Sequence, residues 1–200
     1  MVSIIDYGMG NVASVQKALN FLKIESVITD NHEQINNSEY IILPGVGSFL
    51  QGMKNLQSKG LDVFLTDQVV NKKKRFLGIC LGMQLLAETG TEPHDNPGLG
   101  WVKGKVKKIE NIPFRIPHMG WNNIDVKINT NFKDVDHKDF YFIHSYHFVP
   151  ENKNVIAAST NYGIELVASI QQDNIFATQF HPEKSQEAGL TLLKNFFTNA

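Results

Sequence analysis

Two hundred residues, 42% of them apolar and 20% charged, suit one large soluble domain, and a chain of this length buries roughly 70% of the surface it would expose unfolded, without a disulfide or metal staple. Nineteen lysines and arginines against twenty acidic residues leave a net charge of −1, which excludes a protein whose main work is neutralising nucleic-acid phosphates. The longest apolar stretch, Phe76 to Ala87, is 12 residues interrupted by two glycines and a glutamine, whereas a membrane span needs about 20. The first residues run into a strand with no basic leader or cleavable apolar segment, so a cytoplasmic, reducing setting is expected. In that setting the single cysteine, Cys80, is either an inert core thiol or a nucleophile.

Residues 2–6 read as a strand that stops at Gly8-Met-Gly10-Asn11, and Val12, Val15, Leu19 and Leu22 then fall at helical spacing. Ser26 to Thr29 is a second strand, followed by a short polar segment. Tyr40 to Leu43 is a third, ending at Pro44-Gly-Val-Gly47. Phe49, Met53 and Leu56 open another helical face, which Leu61, Phe64, Leu65 and Val69 continue. Phe76 to Ile79 is a buried strand, after which Met83, Leu86 and Ala87 return to helical spacing. Alternation of strands and helices predicts a parallel sheet covered on both faces. From Trp101 onward the chain offers short β-rich runs at 105–109, 123–128, 140–149, 155–160, 166–170 and 175–180, joined by connections too short for crossover helices, so some pair antiparallel. A last helix starts after Ser185 as N-cap and buries Leu190, Leu193 and Phe197. Thr89 to Gly98, rich in proline, glycine and acids, is the long loop. The expectation is therefore an α/β fold whose mostly parallel central sheet carries an additional antiparallel region, in one domain spanning 1–200.

The sharpest chemical signal is Gly78-Ile-Cys80-Leu-Gly82, a nucleophile type bracketed by small residues where a strand meets a helix. Glycine on both sides relieves crowding in the tight turn, and the helix start favours a thiolate. The Leu81 N–H points where a carbonyl oxygen becomes an oxyanion. Gln179-Phe-His181-Pro-Glu183 ends a late strand, and residues two apart in an extended chain point the same way, so His181 and Glu183 can pair. A nucleophilic cysteine needs such a base, and the base needs an acceptor to fix its tautomer. Pro44-Gly-Val-Gly47 offers a second oxyanion donor at Val46 or Gly47. His144 and His147, three apart with no cysteine pair beside them, do not read as a metal site. Lys72-Lys-Lys-Arg75 reads as a solvated helix end.

Pro44-Gly-Val-Gly47, Gly78-Ile-Cys-Leu-Gly-Met-Gln84 and Gln179-Phe-His-Pro-Glu-Lys-Ser185, in that order and spacing, resemble the class I (triad) glutamine amidotransferases, a flavodoxin-like fold. Within that class Asp6-Tyr-Gly-Met-Gly-Asn11, Pro117-His-Met-Gly-Trp-Asn122 and Phe140-Tyr-Phe-Ile-His-Ser-Tyr146 are similar to the glutaminase subunits of imidazole glycerol phosphate synthases, from about residue 3 to the last helix. The resemblance implies that Cys80 attacks the side-chain amide of glutamine, with the oxyanion on the N–H groups of Leu81, Val46 and Gly47. His181, oriented by Glu183, carries the proton to departing ammonia, and water cleaves the thioester. Gly47, Gln84, Glu92, Ser145 and Tyr146 match substrate-holding positions. Asn11, Met119, Trp121 and Lys184 match a docking face. No cofactor is implied.

Ammonia released into neutral water becomes ammonium, which has no lone pair to attack an electrophile. A glutaminase that feeds synthesis must therefore deliver its product through a closed path, and 200 residues leave no room for the consumer. By the resemblance the partner is a (βα)8-barrel cyclase that makes imidazole glycerol phosphate and an aminoimidazole carboxamide ribotide in histidine biosynthesis, in a heterodimer. Ala87 and Trp101 depart from the pattern of that subfamily, which leaves a rival: a paralogous glutaminase feeding a cell-surface sugar amidotransferase. More distant rivals are a stand-alone γ-glutamyl cysteine peptidase and a non-enzymatic binding module.

Overall fold

The computed structural model describes residues 1–198. Its parallel half is built from β1 (Val2–Ile5), α1 (Val12–Phe21), β2 (Ser26–Thr29), α2 (His32–Asn36), β3 (Tyr40–Gly45), α3 (Phe49–Ser58), α4 (Leu61–Thr66), which runs on as a π-helical turn, and β4 (Arg75–Cys80). One helical turn, α5 (Leu81–Gln84), follows Cys80 directly. Then come β5 (Thr89–Gly90), β6 (Asn96–Pro97), β7 (Gly104–Lys108), β8 (His118–Asn123), β9 (Asp125–Val126), β10 (Asp139–His144), β11 (Tyr146–Pro150), β12 (Ile156–Asn161), β13 (Glu165–Gln172), β14 (Ile175–Thr178) and α6 (Gln186–Thr198). Among the described residues no helix is long and apolar enough to cross a membrane.

The main sheet has the order β2-β1-β3-β4-β14-β13-β12-β9. Its pairings are parallel from β2 to β14 and antiparallel from β14 to β9. The expected antiparallel region is thus a continuation of the parallel sheet, joined by two smaller sheets, β10-β8 and β11-β7-β5-β6. Central strands are buried on both faces because their residues alternate between two cores. Ile41 and Leu43 face the cluster beneath α3 and α4, while Ile42 faces the cluster beneath α1 and α6. This is why the parallel strands read as near-continuous apolar runs. In the first cluster Phe76 packs edge-on against Trp101, with ring centroids 5.1 Å apart. Truncating so buried an aromatic ring to alanine costs about 3–5 kcal/mol.

Several expectations change. The polar segment after β2 contains the short helix α2, whose first turn is capped by the Asn31 side chain accepting from Glu33 and Gln34 N–H. The loop from Thr89 to Gly98 contains the strands β5 and β6, which pair with each other and, through β5, with β7. The run 140–149 is two strands, since the chain leaves β8 at His144 and joins β7 at Tyr146, with Ser145 at the break. The run 123–128 splits likewise between β8 and β9. In α6 the buried positions are Leu192, Leu193 and Phe196, whereas Leu190 and Phe197 are half-buried. Ser185 immediately precedes that helix, but its hydroxyl donates to the His181 carbonyl at 2.6 Å and accepts the Tyr141 N–H. It ties the end of β14 to β10.

Candidate active site

Register places the chemistry. Gly45 at the end of β3 lies opposite Cys80 at the end of β4, and Thr178 at the end of β14 lies opposite Ile79. Three neighbouring parallel strands therefore end together, at the edge where open α/β sheets bind ligands. They deliver the Pro44-Gly-Val-Gly47 loop, the cysteine, and the segment from Gln179 to Glu183. Cys80 sits at φ 55°, ψ −106°, a conformation sparsely populated by L-residues and tolerated here in a strained elbow. The glycine bracket is required sterically: a Cβ on Gly82 would overlap the Leu43 carbonyl, and one on Gly78 would meet the Gly82 carbonyl oxygen at 2.9 Å.

His181 Nδ1–H donates to Glu183 Oε1 at 2.8 Å, with both side chains 2% exposed. That bond fixes the tautomer and leaves Nε2 for Cys80. Burial pulls the His181 pKa down, but the neighbouring Cys80 and, after it, Glu183 outweigh it and hold the imidazole up at about 10. The Cys80 sulfur also touches the Ile143 carbonyl at 3.9 Å and the Gln179 amide nitrogen at 3.7 Å.

A cavity of about 450 Å³ opens over Cys80. Val46, Gly47, Leu81, Gln84, Glu92, Ser145, Tyr146 and Lys184 all line it, so the expected oxyanion and substrate positions converge on one space. Glu92 accepts the Phe49 N–H at 3.0 Å with one carboxylate oxygen, which anchors it at the start of α3. The amide nitrogen of Gln84 is committed to the Tyr146 carbonyl at 2.9 Å and Gln179 Oε1 at 3.0 Å, so only its carbonyl oxygen is left for a substrate. The Val46 N–H is likewise engaged, by the Met9 carbonyl at 3.0 Å. Larger clefts of about 650, 670 and 500 Å³ lie elsewhere, and no cysteine lines any of these.

The expected docking residues lie beside the cavity rather than in it, apart from Lys184, whose Nζ stands 6.0 Å over the Tyr141 ring. Cross-strand pairing sets Trp121 against Tyr141 and Met119 against Ile143 on one face of the β8–β10 ribbon. Met119 is 58% and Trp121 49% exposed, an apolar stripe that leads to the cavity through Ile143. Asn11 is exposed and spends its side chain capping α1, accepting from Ser14 N–H. His144 pairs with His118 rather than with His147, Nε2 to Nδ1 at 3.0 Å. Among the described residues no group of three or more His, Cys, Asp or Glu is placed to hold a metal ion. Gln179 is the site residue that sequence reasoning passed over. A buried-strand run, 175–180, that carries the polar pair Thr178-Gln179 near its end was the available signal.

The family model for class-I glutamine amidotransferase matches residues 3–200. Imidazole glycerol phosphate synthase subunit HisH 1 of Campylobacter jejuni (strain RM1221) is 46% identical over 199 residues, covering 98% of each chain. Its counterpart HisH 1 of Methanococcus maripaludis is 45% identical over 201 residues, again covering 98% of each. Among solved structures, PurLQS from Thermotoga maritima superposes with a TM-score of 0.76 at 17% identity, covering 98% of this chain and 96% of that one. A strand-end cysteine, a buried His–Glu pair beside it and this match over nearly all its residues place the chain in the class I glutamine amidotransferase family.

Proposed function

We propose that this chain is the glutaminase subunit of an imidazole glycerol phosphate synthase, hydrolysing glutamine to glutamate and ammonia for a separate cyclase. The observation that carries the chemistry is the buried His181, paired through Nδ1 to Glu183 at 2.8 Å with its Nε2 left unpartnered beside Cys80. The step it supports moves the thiol proton to His181 Nε2 and leaves the electron pair on sulfur for attack on the glutamine amide carbon. His181 then protonates the departing nitrogen, and ammonia leaves as the C–N bond breaks. Water, deprotonated by the same imidazole, opens the thioester and returns the electron pair to sulfur. Glu92 supplies a carboxylate for the substrate ammonium, and Ser145 and Tyr146 form the facing wall.

The client is supported by the relatives' names and by the exposed Met119–Trp121 stripe, an apolar face of the kind that marks a protein contact. Ala87 and Trp101, whose departure from the subfamily pattern suggests a different client, are both buried in the core beneath α3 and α4. They touch neither the cavity nor the stripe, so they bear on packing rather than on partner choice.

Combining the chain with a cyclase barrel and its nucleotide substrate tests the reading. Glutamine turnover should rise well above that of the isolated chain, and turnover that stays at background whichever nucleotide is added sinks it. In the active complex Cys80→Ser should remove glutamine-dependent synthesis and spare synthesis from ammonium salts.

A further inference from the structure

We infer that Gln179 is a further catalytic residue, whose side-chain N–H donates to the Cys80 sulfur and stabilises the negative charge that sulfur carries. The proposal rests on the reading of Cys80 as nucleophile and adds a donor to it.

The orientation of the Gln179 amide follows from counting donors and acceptors. A backbone carbonyl only accepts, so the atom of Gln84 that meets the Tyr146 carbonyl at 2.9 Å is its nitrogen. The second hydrogen of that nitrogen goes to Gln179 at 3.0 Å, and the atom receiving it must be Oε1. The other end of the Gln179 amide is then Nε2, and it stands 3.7 Å from Cys80 Sγ, within hydrogen-bond reach for sulfur. The reverse orientation would set two N–H groups against each other at Gln84 and an oxygen against the sulfur.

The arrangement is held from both sides. Gln179 is fully buried and Gln84 is 5% exposed, so neither amide has bulk water to turn toward. The Gln179 backbone N–H is fixed to the Ala168 carbonyl at 2.8 Å, and the Tyr146 carbonyl is held by a second donor, His144 Nδ1–H, at 2.8 Å. Burying a glutamine at the end of an apolar strand costs free energy unless its groups are paired, and its amino group is paired to the nucleophile.

The donor acts where sulfur is anionic. When Cys80 loses its proton to His181 the electron pair stays on sulfur facing Gln179 Nε2–H. When the thioester is hydrolysed the C–S bond breaks and the pair returns to the same sulfur. A hydrogen bond to a charged group is worth about tenfold or more in an equilibrium.

The test is the rate of Cys80 alkylation by iodoacetamide as a function of pH, on the full chain, for wild type, Gln179→Met and Gln179→Glu. Gln179→Met removes the donor at similar volume. Gln179→Glu keeps the acceptor for Gln84, and with it the local fold, while turning an oxygen to the sulfur. Alkylation at pH 7 should fall about tenfold in Gln179→Met and further in Gln179→Glu, with both recovering the wild-type rate at strongly alkaline pH. Unchanged rates at pH 7, or an equal loss at every pH, would overturn the proposal, the latter because it reports access rather than ionisation. His181→Ala separates the two readings: a wild-type thiol insensitive to loss of His181 contradicts the nucleophile assignment itself, whereas sensitivity to His181 with indifference to Gln179 contradicts only this inference.

Discussion

The backbone N–H of Val46 donates to the Met9 carbonyl at 3.0 Å. A donor engaged in this way cannot receive an oxyanion, so the hole proposed over Cys80 is incomplete until that peptide turns. That peptide joins Gly45 to Val46, and Gly45, which has no Cβ, tolerates such a change on its side. Val46→Pro deletes the donor in either state. In the assembled synthase it should lower kcat for glutamine by about 10²–10³-fold with little change in KM, as expected when one oxyanion donor is lost. Steady-state kinetics decide the matter, and a variant with unchanged kcat removes Val46 from the hole.

Glu183 accepts the His181 Nδ1–H at 2.8 Å and is as buried as the imidazole it orients. Glu183→Gln presents an amide whose NH₂ favours the opposite tautomer, so kcat should fall by about 10²–10⁴-fold. The same pair has a stability signature. The His181 pKa is raised to about 10 from 6.5, first by Cys80 and then by Glu183, so the part that Glu183 supplies is fully present below pH 6.5 and is lost as pH rises through about 10. The urea midpoint of wild type should exceed that of Glu183→Gln most at pH 6, and the gap should close above pH 10. A gap independent of pH would mean that the pair is not charged.

Much of this was legible in the sequence where local pattern and tertiary demand agree. Phe76 to Ile79 is apolar throughout because β4 is covered on both faces, and the Gly78–Gly82 bracket is glycine because a Cβ at Gly78 would meet the backbone of the turn at Gly82 and one at Gly82 would meet that of β3. Chain pattern was silent where pairing is non-local. Nothing between Phe140 and Val149 marks Ser145 as the point where the chain changes sheets, because the partners β8 and β7 make that choice. The buried face of α6 was misjudged for the same reason: Leu190, Leu193 and Phe197 share one stripe and Leu192, Leu193 and Phe196 another, and only the packed sheet selects between them. Gln179 was hidden because an amide's role depends on what it faces.

His118 and His144 are joined Nδ1 to Nε2 at 3.0 Å, and His144 Nδ1–H donates onward to the Tyr146 carbonyl. The chain of donors requires His144 to be neutral, since its Nε2 accepts from His118. Burial lowers the His118 pKa to about 4 and is the main cause lowering that of His144 to about 3. Both lie below the unfolded value of 6.5, so the unfolded state binds protons first and stability falls as pH drops from 6.5 toward 4. Each ring adds a slope of up to about 1.4 kcal/mol per pH unit. His118→Asn keeps a donor near the Nδ1 position and removes one titrating group. Its melting temperature should therefore depend less steeply on pH across this window than that of wild type, and an equal slope would place the acid sensitivity elsewhere.

Glu92 combines two duties that one substitution can separate. One carboxylate oxygen accepts the Phe49 N–H at the start of α3, and the residue lines the cavity over Cys80. Glu92→Gln retains an oxygen for Phe49 and discards the charge, so the melting temperature should hold while KM for glutamine rises about 10–100-fold, the scale of a lost charge-assisted hydrogen bond. Glu92→Ala loses the acceptor as well and should add a stability cost of about 0.5–2 kcal/mol, as for other helix caps. If the charge serves the substrate ammonium, a glutamine analogue without its α-amino group binds wild type and Glu92→Gln equally well. Discrimination that persists with that analogue would mean that Glu92 acts by shaping α3 instead.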